Sequence, residues 1–404
     1  MLTKIKNEFG HFSTQSHNFR ILVLTNFVYA FVLPVIEIFV AAYIMRNSND
    51  PVKVVIYQLA IYSGIPLTFL VNGFLLKHFK IKSLYSLGML LSAVSLMIMM
   101  SLESLDLWGI GIAGFTMGLS FGFYWANRDF LSLANTNDHN RNYYYGLETF
   151  LYTIAAVVVP IAIGVFIEVN QNAYQIVTGI VFLVAIIASV ICFRGTFADP
   201  EHKPFVFFKF HPLWNQFLVL ASLKGLVQGF LVTAPAMLVM MLLGKEGALG
   251  TAQSAGAIIA AFVMYLIGRF SKPEHRLLIF SAGLILFALA ALSNGILYNQ
   301  AGVILFMLFL LLAKPLMDLA YYPIQYQVIN VVGKKENRAD YAYILNHEAG
   351  LYGGRLIGAG TFLMLAYMFS TEVALRYAVL IVAVIQLSSI WFAKNIIQQC
   401  EALK

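Results

Sequence analysis

Long apolar runs alternate with short polar or Gly/Pro-containing breaks along almost the whole chain. Most runs are at least as long as the ~20 residues that a helix needs to cross the hydrocarbon core of a bilayer. The pattern predicts twelve transmembrane helices, at residues 20–45, 53–76, 82–102, 105–131, 142–168, 173–194, 212–243, 248–269, 275–297, 300–331, 338–368 and 372–396. The first run, Ile21 to Ile44, is too long for the apolar core of a signal peptide and is predicted to remain as a span.

Composition agrees with this pattern. Hydrophobic residues make up 60% of the chain and charged residues 11%, whereas ordinary soluble domains are roughly 25% charged. We therefore expect a multi-pass protein of the lipid bilayer. Its two cysteines, Cys192 and Cys400, suggest neither a disulfide framework nor a metal cluster, so neither a metal nor another cofactor is expected.

The net charge of +7 would suit a nucleic-acid-binding protein, but its distribution indicates membrane orientation instead. Nineteen Lys and Arg residues lie at the two termini or beside the connections that follow even-numbered helices, and four lie on the other side. Basic residues collect on the cytoplasmic side of membrane proteins. The sequence thus predicts cytoplasmic termini in the cytoplasmic membrane and no nucleic-acid partner.

The two halves of the chain resemble each other at an offset of 195 to 198 residues. "NGFLLKHFKIKSLYSLG" after helix 2 matches "IGRFSKPEHRLLIFSAG" after helix 8, and Tyr124 in helix 4 aligns with Tyr322 in helix 10. Six helices per half with the same sidedness predict a parallel repeat around a central cavity, as in many transporters. The predicted division is an N-terminal bundle at 1–193, a cytoplasmic linker at 194–211 and a C-terminal bundle at 212–404.

This arrangement resembles the major facilitator superfamily over essentially the whole chain. The signature of that family between helices 2 and 3 is kept in part, although a basic residue stands where the family has an acid; the relevant residues are Gly73, Leu75, Lys77, His78, Lys82 and Leu84. Pro160 and Gly164 retain half of a helix 5 signature that is associated with antiporters. The resemblance implies a monomeric secondary transporter for a small solute, rather than an enzyme, in which helices 4 and 10 line the pathway.

Seven ionisable residues lie well inside the predicted spans: Glu37, Glu148, Lys224, Lys314, Asp318, Glu348 and Arg355. Each costs ~2.5–3.5 kcal/mol on insertion scales, so each requires a partner or a function. Lys314 and Asp318 are four residues apart on one helical face, and Glu348 and Arg355 are seven apart. Both pairs are expected to be structural ion pairs, in which the carboxylate could still exchange a proton if solute displaced its partner.

The proton-coupling candidates are Glu348, Asp318, Glu148 and Glu37, with Glu348 preferred. Burial in apolar surroundings raises the proton affinity of a carboxyl group, which suits coupling at neutral pH. The alternative for Glu148 and Glu37 is a permanently protonated acid that makes one hydrogen bond. Lys224 is interpreted as the counter-ion of an acid in helix 10 or 11, with contact to an anionic solute as the alternative.

Aromatic and amide residues near the inner ends of helices 4 and 10 suggest a solute site. "FYWANRDF" supplies Tyr124, Trp125 and Asn127; "AYYPIQYQ" supplies Tyr321, Tyr322 and Gln325; Gln228 and Arg355 complete the predicted cavity lining. Arg128 and Asp129 are predicted to fix a gate, together with Lys77, Lys82 and Lys314 as structural or gating residues. The alternative is an interfacial helix end with an aromatic belt.

The sequence favours a proton-coupled transporter that works by alternating access and exports an amphipathic compound. No phosphate-binding loop is present to indicate use of ATP. The three cations in the spans permit a second hypothesis, the uptake or exchange of an anionic nutrient. A remote third hypothesis is an intramembrane enzyme that acts on a lipid-linked substrate; His347 is the only histidine deep in a span, and catalytic residues are not otherwise indicated.

Overall fold

The structure, a computed structural model, describes residues 10–136, 141–170, 172–199, 204–270, 273–338 and 340–403. It is helical throughout, with no strand in these ranges. We number the twelve long helical segments as α1 (His17–Ser48), α2 (Pro51–Leu75), α3 (Ile81–Ser101), α4 (Leu107–Ala134), α5 (Arg141–Val169), α6 (Ala173–Phe193), α7 (Pro212–Leu242), α8 (Glu246–Phe270), α9 (Arg276–Leu297), α10 (Gln300–Glu336), α11 (Asp340–Met368) and α12 (Thr371–Ala402).

Short connections make consecutive helices antiparallel. The chain termini and the connections after even-numbered helices therefore lie on one face of the bundle, which we call the termini face. The connections after odd-numbered helices lie on the opposite face. We refer to α1–α6 as the N-terminal half and to α7–α12 as the C-terminal half.

Ten helices are long and apolar enough to cross a membrane among the described residues; α8 and α11 are not in that set. These two helices pack across the boundary between the halves, α8 against α5 and α11 against α2. Protein therefore covers part of their surface in place of lipid. All twelve predicted helices are present.

Helices α7 and α11 cross closely through glycines. A methyl group on Gly354 would overlap the carbonyl oxygen of Ser222, and one on Gly225 would overlap that of Leu351. A similarly close crossing in the N-terminal half lies between α2 and α4, where Gly64 faces Gly118. Gly358 of α11 also lies against α7, at the carbonyl oxygen of Leu226, while Gly353 and Gly360 have open space beside them.

Both α1 and α7 are interrupted near their middle. In α1, the α-helix ends at Ala30, and Val35–Phe39 forms a π-helical turn directly after Pro34. In α7, the α-helix breaks at Val232 and Thr233, just before Pro235. Proline lacks a backbone N–H and disrupts the preceding turn, which explains both interruptions. A π-helical turn within an α-helix is frequent at functional sites.

Candidate functional site

In the N-terminal half, Arg128 of α4 and Glu148 of α5 form a buried ion pair. Two guanidinium nitrogens contact the carboxylate, with Nε 3.2 Å from Oε1 and a second, closer contact between Nη2 and Oε2. Arg128 Nη1 also lies 2.6 Å from Oδ1 of its neighbour Asp129. The side chains of Arg128 and Glu148 are only 16% and 4% exposed. The guanidinium is thus the cation that Glu148 lacks within its own helix.

Glu148 accepts further hydrogen bonds from two other side chains. Asn26 Nδ2 of α1 lies 2.6 Å from Oε1, and the Tyr144 hydroxyl lies 3.1 Å from the same atom. The hydroxyl of Tyr85 in α3 donates to Asn26 Oδ1. Charge-assisted hydrogen bonds of this kind are stronger than neutral ones. The network joins four helices through this one carboxylate.

In the C-terminal half, Lys224 of α7 pairs with Asp318 of α10, with Nζ 2.8 Å from Oδ1. The ammonium also lies 4.1 Å from the ring centroid of Tyr321 and 3.9 Å from that of Tyr322. This contact is the one expected if Lys224 is the counter-ion of an acid in helix 10, and it corrects the predicted pairing of Asp318 with Lys314. A cation four residues before an acid is the weaker order on a helix, whereas Lys224 approaches from a facing helix and gains contact with two rings.

Arg355 and Glu348 of α11 form the ion pair that their spacing predicts, with Nη1 3.2 Å from Oε2. Arg355 Nε also donates to Oε1 of Gln228 in α7, at 2.9 Å. The guanidinium lies 4.8 Å from the ring centroid of Tyr62, a residue of α2 whose hydroxyl donates to the Gln228 carbonyl oxygen at 2.7 Å. This cluster therefore connects the C-terminal half to the N-terminal half.

Glu37 and Lys314 differ from the other charges deep in the spans, because neither forms an ion pair or side-chain hydrogen bond with a described residue. Both side chains are exposed. Glu37 nevertheless faces protein, since its carboxylate interacts electrostatically with Lys314 of α10 and with Tyr62 of α2. These neighbours belong to opposite halves. Glu37 and Lys314 therefore face the space between the halves rather than lipid.

The predicted tyrosines divide into buried and exposed residues. Tyr124 is fully buried and its hydroxyl lies 2.7 Å from that of Tyr152 in α5. Tyr321 is 1% exposed, and its hydroxyl lies 2.8 Å from Nε2 of His347. Tyr322 is 44% exposed. This corrects the prediction that Tyr124 and Tyr321 line the cavity: each packs inside its own half, because its ring and hydroxyl find partners there.

The other predicted residues at the end of α4 also have structural partners. Asn127 is fully buried and exchanges two side-chain hydrogen bonds with Asn72 of α2, at 2.8 and 3.2 Å. Trp125 is half-buried and its ring centroid lies 5.3 Å from the Arg128 guanidinium carbon. Gln325 of α10 is buried at 7% exposure. Asn127 thus holds α4 to α2 rather than lining the cavity.

On the opposite face, α5 packs tightly against the start of α8. A methyl group on Gly164 would lie 2.8 Å from the carbonyl oxygen of Glu246 and 3.3 Å from Cα of Gly250. One on Gly250 would overlap the carbonyl oxygen of Pro160. The antiporter-associated residues Pro160 and Gly164 therefore form part of the contact between the halves.

Polar contacts that the sequence did not predict lie beside this crossing. Arg46 of α1 pairs with Glu246 at 3.1 Å, and the hydroxyl of Tyr174 in α6 donates to the same carboxylate at 3.4 Å. Glu168 of α5 accepts a hydrogen bond from the Gly247 amide at 2.9 Å. Arg46 is one of only four Lys or Arg residues that the sequence places on the face opposite the termini. A basic residue that is rare on this face could have been recognised as one with a specific acidic partner.

On the termini face, the linker contacts the family signature. The ring of Phe205 occupies the space where a side chain at Gly73 would lie, and its centroid is 5.5 Å from that of Tyr341 in α11. Lys77 Nζ lies 5.6 Å from the ring centroid of Phe74. Gly73 therefore makes room for a linker side chain that sits between α2 and α11.

Lys82 joins the start of α3 to the end of α6, donating to the carbonyl oxygens of Phe193 and Gly195 at 3.4 and 3.3 Å. Asp199 of the linker accepts from the Ile81 amide at 2.8 Å. Cations near a helix C-terminus and anions near an N-terminus are stabilising. Lys82 thus holds the start of α3 against the end of α6.

A model of the Major Facilitator Superfamily matches residues 22–346, most of the chain. The chain belongs to this superfamily. An uncharacterized protein of Bacillus subtilis (strain 168), YqgE, is 24% identical over 369 residues, which cover 89% of this chain and 85% of that protein. An uncharacterized protein in the sodM 3' region of Geobacillus stearothermophilus is 28% identical over 145 residues, or 36% of this chain and 68% of that protein.

Solved structures of superfamily type share the fold. A bacterial homologue of the human drug peptide transporters PepT1 and PepT2 superposes with a TM-score of 0.70 at 11% identity, covering 96% of this chain and 99% of that one. A bacterial homologue of the iron transporter ferroportin, in an inward-facing state, gives 0.66 at 14% identity, with 93% and 100% coverage. This superfamily member is therefore a membrane transporter for a small molecule, not an enzyme.

Proposed function

We propose that this transporter is proton-coupled, with Glu37 as the coupling carboxylate, and that it exports an amphipathic compound that carries a cationic group. The observation that carries the proposal is the state of Glu37. Of the carboxylates that lie deep in the described spans, it is the one without an ion pair, and its side chain is exposed between the halves.

Export by exchange follows from competition at one carboxylate. A carboxylate can bind a proton or an organic cation, but the proton removes the charge that holds the cation. Glu37 would bind either a proton or the organic cation, but not both at once. Protonation of Glu37 on one side of the membrane would therefore release the cation on that side. The transporter would then return to its other conformation with the proton bound to Glu37. A desolvated carboxyl group has the raised proton affinity that this cycle needs at neutral pH.

The other candidate acids are less available to protons in this proposal. Glu148 is held by Arg128, Asp318 by Lys224 and Glu348 by Arg355. Asp318 and Glu348 have 33% and 17% exposed side chains, against 4% for Glu148. We therefore place Asp318 and Glu348 as secondary coupling candidates and Glu148 as a structural residue.

Aromatic rings on α10 would contact the apolar part of the solute. Tyr322 is 44% exposed and Tyr326 is 61% exposed, one turn apart on the same helix. Tyr326 interacts electrostatically with Arg128 and Asp129 of α4, which places its hydroxyl toward the N-terminal half rather than toward lipid. Stacking on exposed rings suits a partly aromatic or otherwise flat solute.

We further propose the usual two-body mechanism, in which 1–193 and 212–404 move against each other around the cavity and 194–211 links them. The excess of basic residues on the termini face supports cytoplasmic termini in the cytoplasmic membrane. The contacts of Arg46 with Glu246 and of Gly164 with Gly250 would have to open in the outward-facing state. The protein is proposed to act as a monomer.

One observation favours the second candidate, uptake or exchange of an anionic nutrient. Lys314 is as free of partners among the described residues as Glu37 is, and it is equally exposed. An ammonium in that position would attract a carboxylate or phosphate group.

The test uses purified protein in proteoliposomes with an imposed pH gradient. Ethidium and benzoate serve as cationic and anionic probes, and a trapped pH-sensitive dye reports proton movement. We expect ethidium to drive proton counterflow in the wild type, and Glu37→Gln to abolish it while Glu37→Asp retains part of it. Glu103→Gln, which removes an exposed carboxylate outside the spans, is the matched control.

Undiminished ethidium-driven proton flux in Glu37→Gln would reject Glu37 as the coupling residue. Proton flux that follows benzoate but not ethidium would replace export of a cation by transport of an anion.

A further inference from the structure

The unpaired carboxylate and the unpaired ammonium lie within about one helical turn of each other in depth. Glu37 is eleven residues from the end of α1 at Ser48, and Lys314 is fourteen residues from the start of α10 at Gln300, and both of these helix ends are on the opposite face. At ~1.5 Å per residue, the two lie about 16 and about 21 Å below that face. They come from opposite halves and face the same space.

The charges next to this level are already neutralised. Arg355 is paired with Glu348 and bonded to Gln228, so its guanidinium is not the free cation there. Lys224 and Asp318 neutralise each other, and Asp318 lies four residues, about one helical turn, beyond Lys314 on α10. Tyr62, which lies between Glu37 and Arg355, donates its hydroxyl to a backbone carbonyl. Glu37 and Lys314 are thus the charges that remain for a solute.

These two charges interact electrostatically but do not form an ion pair. An isolated charge away from bulk water is costly, and the cost falls when an opposite charge binds it. The gap between the Glu37 carboxylate and the Lys314 ammonium therefore offers two binding positions, one for a cationic group and one for an anionic group. A solute with one charge would fill only one of them.

We propose that the transported solute is a zwitterion, whose ammonium binds Glu37 and whose carboxylate, or other anionic group, binds Lys314. The inference rests on the proposed function only in taking the space between the halves as the transport pathway. It reconciles the two candidate solutes, because each of them used one of the two charges. The π-helical turn that carries Glu37 marks the same position as unusual in the backbone.

The test is equilibrium binding to the purified full-length protein in detergent at one pH and without a gradient. Matched probes share an indole body: tryptophan is the zwitterion, tryptamine has only the ammonium, and indole-3-propionate has only the carboxylate. Glycyl-tryptophan repeats the comparison with a wider charge separation, and leucine with isopentylamine and 4-methylpentanoate repeats it with an aliphatic body.

We expect at least one zwitterion to bind about tenfold tighter than both of its singly charged analogues, since a second charge-assisted contact is worth about that much. In Glu37→Gln the zwitterion should bind no more tightly than the analogue that has only the carboxylate. In Lys314→Gln it should bind no more tightly than the analogue that has only the ammonium. Glu103→Gln and Lys245→Gln, which remove exposed charges from connections, should keep it.

The proposal would be overturned if none of the zwitterions bound more tightly than its singly charged analogues. So would an advantage that survives in both variants. If either Gln variant fails to elute as a folded monodisperse protein, Glu37→Asp and Lys314→Arg replace it, with a reduced zwitterion advantage as the expected result and an unchanged one as the refutation.

The outcomes separate this proposal from the preceding one. If Glu37→Gln abolishes proton counterflow but zwitterions have no advantage, proton coupling stands and the zwitterion fails. If zwitterions bind through both residues but a pH gradient does not drive their transport, the zwitterion proposal stands and proton coupling fails.

Discussion

The two halves of the transporter contain similar charged and aromatic residues but use them differently. In the N-terminal half, Glu148 is 4% exposed and receives hydrogen bonds from Arg128, Asn26 and Tyr144. In the C-terminal half, Asp318, the acid that pairs with Lys224, has a side chain that is 33% exposed. The difference shows that one ion pair inside the spans can have an almost fully covered carboxylate while another keeps a partly exposed one.

The same contrast applies to the unpaired charges. Glu37 lies in the N-terminal half and Lys314 in the C-terminal half, so each half presents one sign to the space between them. Partners, rather than residue type, thus distinguish Glu37 from Glu148. Three substitutions would break or sharpen the comparison between the halves.

The largest effect is expected for Arg128→Gln. Removal of one partner of a buried ion pair leaves an uncompensated charge, which costs about 3–5 kcal/mol. Unfolding in mixed micelles with an increasing fraction of a denaturing detergent should show this loss. The control is Arg46→Gln, which breaks a pair whose cation is 44% exposed and should cost no more than about 1 kcal/mol. Equal losses in the two variants would contradict the structural role of the Arg128–Glu148 network.

An intermediate effect is expected for Gly88→Ala, where α3 crosses α4. The new methyl group would lie 2.6 Å from the backbone nitrogen of Tyr124, and overpacking of this kind costs about 1–3 kcal/mol. Gly283, its counterpart in α9, faces the flexible Met317 side chain at 2.9 Å, so Gly283→Ala should cost less. The same unfolding titration measures both.

Gly179→Ala and Gly353→Ala are the matched controls, one in each half, because nothing lies within 4 Å of the added methyl group. A larger loss for Gly283→Ala than for Gly88→Ala would contradict the tighter packing inferred at Gly88.

The smallest effect on stability is expected for Lys224→Met, because the partly exposed Asp318 carboxylate that remains can still be hydrated. The lost charge-assisted hydrogen bond is worth about 1–2 kcal/mol, measured as before. Transport should suffer more than stability, since the cation also contacts the ring of Tyr322, which is 44% exposed and which we propose to contact the solute. A stability loss as large as that of Arg128→Gln would show that the two ion pairs are equivalent.

The sequence was sufficient to predict twelve helices, because each apolar run is governed locally by the thickness of the bilayer. It was also sufficient for the Glu348–Arg355 pair, because both residues lie on one helix whose period fixes their relative position. The kinks at Pro34 and Pro235 were predictable for the same local reason.

Contacts between helices were beyond the sequence. The period of a helix tells which residues share its face, but it does not tell which helix that face meets. Asp318 therefore pairs with Lys224 from α7 rather than with Lys314 on its own helix, and Tyr124 is covered by rings from α1 and α3. Asn26 was a missed signal, a lone amide in an apolar run whose partner Glu148 lies 122 positions away.

By itself, the sequence determined a membrane-spanning helical protein with a repeated architecture, since lipid imposes the same demand on every span. Only the tertiary structure decided which charges are satisfied. That outcome depends on distances of a few ångströms between side chains from different helices, and these distances left Glu37 and Lys314 without partners among the described residues.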